Sequence, residues 1–392
     1  MTKTKEYKHT VEELKMKQDM PLSMKEIYFR EAVREFMKVF DDDVYVSISG
    51  GKDSEVLLYL VRKYFGNIEG VYAQTGLDYP SVKEMALAHE NITVVKPIKS
   101  HFEILTEFGY PVISKDVSLY VYGARHGRTE ETRQHYRNRF DGLDDNGNYS
   151  ERRQAYKKYK FLLDAPFEIS DKCCYFLKEK PCRDYEALTH KKPITGIMAG
   201  ESHRRLQAWL KTGCNSFSGE DGTPMCKPLS TWKEEDILQF LYEHEKEMLE
   251  ILKKECLDKG MTEEEFEEKH KHPWAADYGE IIPVLSKNQT DGQLDMFETL
   301  GLDYNGCGFK TTGCDRTGCM YCMFGAQCKG DMRFVRLREN YSDIYSFIMR
   351  GGAFDDDGLW KPGRNPKTGE YGLGFKFVID WMNEHGNLNI RY

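Results

Sequence analysis

No stretch of the 392-residue chain approaches the eighteen or so consecutive apolar residues that a membrane-spanning helix needs, and its N-terminus, Lys3 to Lys8, is charged and has no hydrophobic signal core. The protein is therefore expected to be soluble and cytoplasmic, without a membrane partner. A basic surplus is also lacking. The formal net charge is −8, so any contact with nucleic acid has to come from a local patch rather than from the whole surface. An ATP-binding loop of the G-x-x-x-x-G-K-[ST] type is absent. Without an export signal, the eleven cysteines argue against a disulfide framework and for metal or redox chemistry.

The cysteines are unevenly placed. Five lie between Cys307 and Cys328 and three between Cys173 and Cys182. Cys319 and Cys322 form a Cys-x-x-Cys pair, which puts two sulfurs on one turn facing one metal or one cluster edge. Adjacent Cys173 and Cys174 do not readily bridge each other. Two arrangements are open at this point. Cys314, Cys319, Cys322 and Cys328 can form a local zinc site, or Cys173 and Cys174 can join Cys319 and Cys322 around a [4Fe–4S] cluster.

The second strong signal is Ser49-Gly50-Gly51-Lys52-Asp53-Ser54. Before it, Val44 to Ile48 reads as a buried strand, and after it Glu55 to Val61 has an apolar face at helical spacing. Strand, glycine turn and helix cradle a phosphate, because the backbone approaches closely and the helix N-terminus offers free N–H groups and a positive dipole end. Lys52 adds a positive charge, and the Ser49 and Ser54 hydroxyls can donate to phosphate oxygens. Asp53 tolerates a polyphosphate when a cation such as Mg²⁺ lies between them.

This stretch resembles the pyrophosphate (PP) loop of the ATP pyrophosphatases, the adenine-nucleotide α-hydrolase-like superfamily that includes the phosphoadenosine phosphosulfate (PAPS) reductase family. The residues themselves predict an α/β fold. Strands over 68–73 and 92–95 alternate with helices, including 101–108, which argues for a doubly wound parallel sheet with helices on both faces. The loop Gln74 to Pro80 then faces the same crevice as the PP loop, with Asp78 a candidate for ribose or metal contact. Helix starts are expected at capping boxes formed by Ser23 with Glu26 and by Thr231 with Glu234.

Farther on, Pro193 to Ala199 reads as a strand, and Gly200-Glu201-Ser202-His203-Arg204-Arg205 opens a helix. The segment is similar to the family's Gly-x-Arg-x-x-Glu-Ser-x-x-Arg, with Gly196, Glu201, Ser202 and Arg205 in place and Met198 where the family has its first arginine. Arg204 and Arg205 suit a phosphate or sulfate. The tandem Cys-Cys with the Cys-x-x-Cys is similar to the iron–sulfur members of the family, and Arg316-Thr317-Gly318-Cys319 onward looks like bacterial and phage PAPS-reductase-like proteins. The resemblance implies cluster ligation by Cys173, Cys174, Cys319 and Cys322, beside the nucleotide. It also implies phosphate chemistry at Lys52, Asp53 and Arg205, and nucleotide contacts from Ser49, Gly50, Gly51, Ser54, Glu201, Ser202 and Arg204.

On this reading residues 1–40 are an N-terminal helical segment and 41–245 the nucleotide-binding domain. A charged helical insertion follows over 246–300 and a Cys-rich region over 301–392. Within the domain, residues 123–160 carry ten Lys or Arg against six Asp or Glu, interleaved with tyrosines. That pattern fits either a nucleic-acid track or a solvated mixed-charge insertion.

The intact Ser-Gly-Gly-Lys-Asp-Ser is the form expected where ATP itself is cleaved, and the family's Glu-Cys-Gly-like reductase tail is not matched at Asn389 to Tyr392. The expected function is thus ATP cleavage to AMP and pyrophosphate, adenylating an acceptor for sulfur transfer. The implied partners and cofactors are an adenine nucleotide, Mg²⁺, the cluster and a sulfur or electron donor protein, with nucleic acid a candidate acceptor. The alternatives are an adenylyl-sulfate or PAPS reductase releasing sulfite, and a non-catalytic nucleotide- and cluster-binding regulator.

Overall fold

A computed structural model describes residues 7–217, 223–284 and 308–392. Cys307 and residues 285–300 of the expected charged insertion lie outside the described residues. Two compact units are formed by non-contiguous segments: the first from residues 1–74, 78–95 and 182–318, the second from 75–77, 96–181 and 319–392.

The first unit is built on β1 (Val44–Ile48), whose Val44, Tyr45, Val46 and Ile48 are all buried. A short apolar run buried on both faces is what a central parallel strand requires. Helix α1 (Val11–Gln18) and helix α2 (Leu22–Val39) precede it, and α3 (Lys52–Phe65), β2 (Gly70–Ala73), α4 (Pro80–Ala88) and β3 (Ile92–Val95) follow. Strands β5 (Lys192–Thr195), β6 (Asn215–Ser216) and β7 (Met225–Cys226) complete a sheet of order β3-β2-β1-β5-β7-β6. All its pairings are parallel except β6 with β7. The chain winds outward from β1 through β2 to β3 and then returns to β5 on the other side of β1. The winding reverses at β1, and the carboxyl end of such a strand is where open α/β sheets bind ligands.

Helix α3 packs Val56, Leu57, Leu58, Leu60 and Val61 into the same core as α2 and helix α11 (Glu234–Asp258). Each such side chain contributes roughly 1.5–3 kcal/mol on burial. Two sequence expectations fail at helix starts. Helix α2 begins at Leu22 after Pro21 with no side-chain cap, so Ser23 and Glu26 form no capping box. Pro21 fixes the entry instead. Helix α11 is capped by Asp236, which accepts from the Lys233 N–H at 2.6 Å, not by Thr231, which is buried upstream. The same Asp236 carboxylate holds the buried Lys25 ammonium of α2 at 2.6 Å. The tertiary ion pair decides where the helix begins. Helix α11 then runs on to Asp258, so the charged stretch after residue 245 starts as a continuation of a core helix, and Cys256 is buried in that core.

The second unit holds α5 (His101–Phe108), β4 (Val112–Ile113), α6 (Lys115–His126) and α7 (Glu130–Phe140), followed by a 3₁₀ segment over Glu151–Asp164. Short α8 (Lys172–Cys174) continues into a π-helical turn, and β10 (Met323–Phe324) pairs in parallel with β4. Arg125 fixes the path of the insertion by donating to the carbonyls of Leu162, Leu163, Ala165 and Phe167. Much of the positive charge over 123–160 is paired within the segment. Arg133 and Arg137 meet Glu130, Arg139 and Arg153 meet Asp145, and Lys160 meets Asp141. Among the described residues, no helix is long and apolar enough to cross a membrane.

In the first unit, His89 lies between two carboxylates, its Nε2 2.6 Å from Glu55 and its Nδ1 2.8 Å from Glu255. Burial opposes the imidazolium, but Glu55 and Glu255 outweigh it and raise its pKa to about 9. The folded value lies above the ordinary one of 6.5. The contribution to stability is therefore complete below about pH 6.5 and is lost as pH rises through 9. Chemical denaturation between pH 6 and 10 should show stability falling across that window, and His89→Gln should flatten the fall. An unchanged slope in the variant would refute this account. Leu57→Ala, by emptying a fully buried site, should cost about 2–5 kcal/mol in the same assay.

Candidate active site

The turn after β1 is fixed by its glycines. Gly50 has φ +73°, and a Cβ there would lie 1.9 Å from the Val82 carbonyl oxygen, so no other residue fits without displacing α4. Gly51 is the N-cap of α3, and its missing side chain leaves room for the Tyr278 and Thr317 hydroxyls. The serines brace the turn. Ser54 Oγ donates to the Gly51 carbonyl at 2.7 Å and accepts from the Ser49 N–H at 3.2 Å, while Ser49 Oγ accepts from the Gly51 N–H at 3.3 Å.

Lys52, only 2% exposed, extends back over the loop. Its Nζ donates to the Asp315 carbonyl at 2.7 Å, pairs with Glu234 at 2.8 Å and stands 5.1 Å from the centre of the Tyr278 ring. Burial disfavours the ammonium, but Asp53, Tyr278 and Glu234 more than offset it, and its pKa is raised. Glu234 also accepts from Arg316 at 3.0 Å; although partly buried, it is held below the ordinary carboxylate range by Lys52 and Arg316. Asp53 differs. Burial pushes its carboxyl up despite Lys52, and its Oδ1 is buried without a hydrogen-bond partner among the described residues. An orphaned carboxylate oxygen at a helix N-terminus fits a hydrated Mg²⁺, which binds through one or two carboxylates and substrate phosphates.

Ser202 caps helix α10 (His203–Thr212), accepting from the Arg205 N–H at 3.3 Å. Glu201 accepts from the Met198 N–H at 3.1 Å and pairs with both Arg205 and Arg316. Arg205 is near enough to Asp53 for their charges to interact, so the PP loop, Glu201 and Arg205 form one constellation. Arg204 is exposed on the same helix. Asp78 is half-buried beside the Tyr72 hydroxyl at the end of β2.

Sequence reasoning did not single out the residues that close over the loop. Glu234 reads as a capping residue, Tyr278 carries no local signal, and Arg316 and Thr317 stand out only through the family-like stretch around them.

In the second unit, Cys173, Cys174, Cys319 and Cys322 line one small pocket whose other walls include Leu77, Leu177 and Tyr321. None is disulfide-bonded. Burial raises the Cys173 thiol, with Cys319, Cys174 and Cys322 adding to the effect, and pushes Cys322 up to about 12. Four thiols converging in an apolar pocket cannot all ionise unless a cationic centre joins them, which is the donor set of an iron–sulfur cluster. Among the described residues, no three His, Cys, Asp or Glu side chains are grouped to hold a single metal ion. Cys314 packs with the sheet core of the first unit instead, and Cys328 is exposed.

The sequence model of the phosphoadenosine phosphosulfate reductase domain matches residues 43–112 and 121–323. The chain belongs to that family, a family of sulfur metabolism. Over 76 residues it is 30% identical to adenosine 5'-phosphosulfate reductase of Salinibacter ruber, a match spanning 19% of this chain and 28% of that protein. The crystal structure of phosphoadenylyl-sulfate (PAPS) reductase from Candida auris, a phosphate complex, is similar at 13% identity with a TM-score of 0.31. That match covers 60% of this chain and 87% of that one.

Gly50→Ala should destabilise the protein by at least about 1–3 kcal/mol, from the left-handed backbone and the clash with Val82. Comparison with Gly66→Ala checks this. Gly66 also has positive φ, but a Cβ there meets nothing within 4 Å, so a smaller loss is expected.

Proposed function

We propose that the chain binds an adenine nucleotide at Ser49–Ser54, cleaves ATP to AMP and pyrophosphate, and adenylates an acceptor for sulfur transfer. The observation that carries this reading is the loop itself: a positive-φ glycine, a buried lysine and an unpartnered Asp53 oxygen at the head of a fourteen-residue helix. An acceptor oxygen attacks the α-phosphorus, the bond to the β-phosphate oxygen breaks, and pyrophosphate leaves with that electron pair. The positive dipole end of α3 and the Lys52 ammonium neutralise the leaving charge. Arg205 faces the remaining phosphate oxygens. For Lys52 to turn to a phosphate it must exchange Glu234 for the ligand, and Arg316 shares the same carboxylate. Sulfur as a nucleophile then displaces AMP from the acceptor. Asp53 would hold Mg²⁺. Cys173, Cys174, Cys319 and Cys322 would hold a [4Fe–4S] cluster, which supplies one-electron redox chemistry or a site for sulfur.

A second reading is supported by the similarity to the Salinibacter protein: reduction of adenylyl sulfate or PAPS, releasing sulfite and the adenosine phosphate, with two electrons from a thiol donor. Product analysis separates the two. AMP and pyrophosphate from ATP support the first, and sulfite from a sulfonucleotide supports the second.

Calorimetry should show ATP–Mg²⁺ affinity falling at least about tenfold in Lys52→Ala, the equivalent of roughly 1.4 kcal/mol. Unchanged affinity in both Lys52→Ala and Asp53→Ala would remove the site. Protein isolated without oxygen should be brown and hold about four irons per chain. Both Cys174→Ser and Cys322→Ser should lose that iron, whereas colourless protein with one zinc, indifferent to Cys174→Ser, would overturn the cluster.

A further inference from the structure

Between α3 and α11 the first unit holds a cleft of about 280 Å³ that neither the loop chemistry nor the thiol pocket uses. Leu58, Tyr59, Met248, Ile251 and Pro273 give it apolar walls. A cavity of ~150 Å³ holds one benzene, so about 280 Å³ accommodates a ring with a short side arm. The charged groups that line it are unevenly spent. Arg62 donates to Glu255 at 3.2 Å and to the Glu90 carbonyl at 2.7 Å, Lys63 donates to the Tyr59 hydroxyl at 2.9 Å, and His89 is held between Glu55 and Glu255. Glu255 uses both oxygens, one on Arg62 and the other on His89. Glu55 does not. It is 1% exposed, its Oε2 is 2.6 Å from His89, and its Oε1 is buried without a hydrogen-bond partner among the described residues. A carboxylate oxygen withdrawn from water and left unmet is costly. The donors around the cleft are committed and one acceptor is spare, so a donor on an apolar body is what the cleft lacks. Glu90 and Glu247 bring the lining to four carboxylates against Arg62, Lys63 and His89, a balance that favours a cation even with His89 counted as charged.

We infer that this cleft is a binding site for a small aralkyl amine, its ammonium donating to Glu55 Oε1 and its ring lying against Leu58, Met248 and Ile251. A carboxylate receives an ammonium more strongly than a neutral donor, because the hydrogen bond is charge-assisted. None of the lining residues belongs to the PP loop, to the Glu201 and Arg205 constellation or to the thiol pocket, so the site is independent of the reaction proposed above.

Calorimetry on the full chain, without ATP or Mg²⁺, tests the inference with phenethylamine and two probes of the same ring and arm length, phenethyl alcohol and phenylacetate. One equivalent of phenethylamine should bind, the alcohol at least tenfold more weakly, and phenylacetate not at all. Glu55→Gln, which keeps the shape of the side chain and removes its charge, should weaken amine binding at least tenfold. Because Glu55 is buried, Ile251→Lys serves as a second variant. Ile251 is 44% exposed on α11, and a lysine there stands four residues after Glu247, a favourable spacing on a helix. Its ammonium should compete with the amine and weaken binding at least tenfold while the melting temperature is kept. Absence of phenethylamine binding, equal affinity for amine and alcohol, binding indifferent to Ile251→Lys, or binding that survives Glu55→Gln in a folded protein would each overturn the site. With no ATP present, these outcomes stand whether or not the loop binds it, so the two readings fail separately.

Discussion

An ammonium withdrawn from water has to be met by negative groups, and the constellation at the head of α3 is arranged around meeting that of Lys52. Glu234 comes from the first turn of α11, the Asp315 carbonyl from the segment after β9 (Gly308–Thr311, antiparallel to β8, Ile281–Val284), and the Tyr278 ring from a 3₁₀ turn. Segments up to 263 residues apart in the chain are thereby tied to one nitrogen. The cost of burying the charge is offset by this ring of partners. The same arrangement makes the lysine exchangeable, because a carboxylate that balances it can be replaced by a phosphate carrying more charge. Asp53 next to it is compensated only in part, by the charges of Lys52, Arg316 and Arg205, and the contrast between these two neighbours gives the loop its chemical character.

The sheet was legible in the sequence wherever one local rule governed. Val44 to Ile48 is apolar enough to announce a central strand. The strand over 92–95 and the helix over 101–108 take the bounds of β3 and α5, and the Ser100 capping box fixes the start of α5. Legibility failed where a distant partner set the outcome. Asp236 rather than Thr231 starts α11 because a lysine on α2 needs its carboxylate. The first unit cannot be read as a linear stretch, because its segments are interrupted by the second.

The candidate site divides in the same way. Gly50, Gly51, Lys52 and Asp53 belong to one turn, so spacing alone reveals them. Glu234, Tyr278 and Arg316 reach that turn only through the tertiary fold, and no local signal in the sequence marks them as partners of Lys52. The tyrosines and arginines over 123–160 leave two readings open, a nucleic-acid track and a solvated mixed-charge insertion, which composition alone does not separate. The contacts there speak for internal pairing: Arg125 serves carbonyls, Arg139 lies 4.7 Å from the centre of the Tyr120 ring, and several neighbours are balanced by acids within the segment. Composition reports charge, not where the charge is spent.

The four-thiol pocket has a consequence for how the protein is made. Cys173 and Cys174 leave the ribosome with α8, whereas Cys319 and Cys322 follow only after the sheet's last strands and α11 have been synthesised. Contacts of such sequence separation form slowly, because a long loop must be closed before they yield any stabilisation. For more than a third of synthesis, from Cys174 to Cys319, the chain therefore presents two neighbouring reduced thiols in an incomplete pocket. Oxidation of these thiols during that interval would leave the second unit misassembled even where the sheet has folded correctly. Yield of intact protein should thus depend on the redox state of the cell during translation more than on the stability of the finished fold.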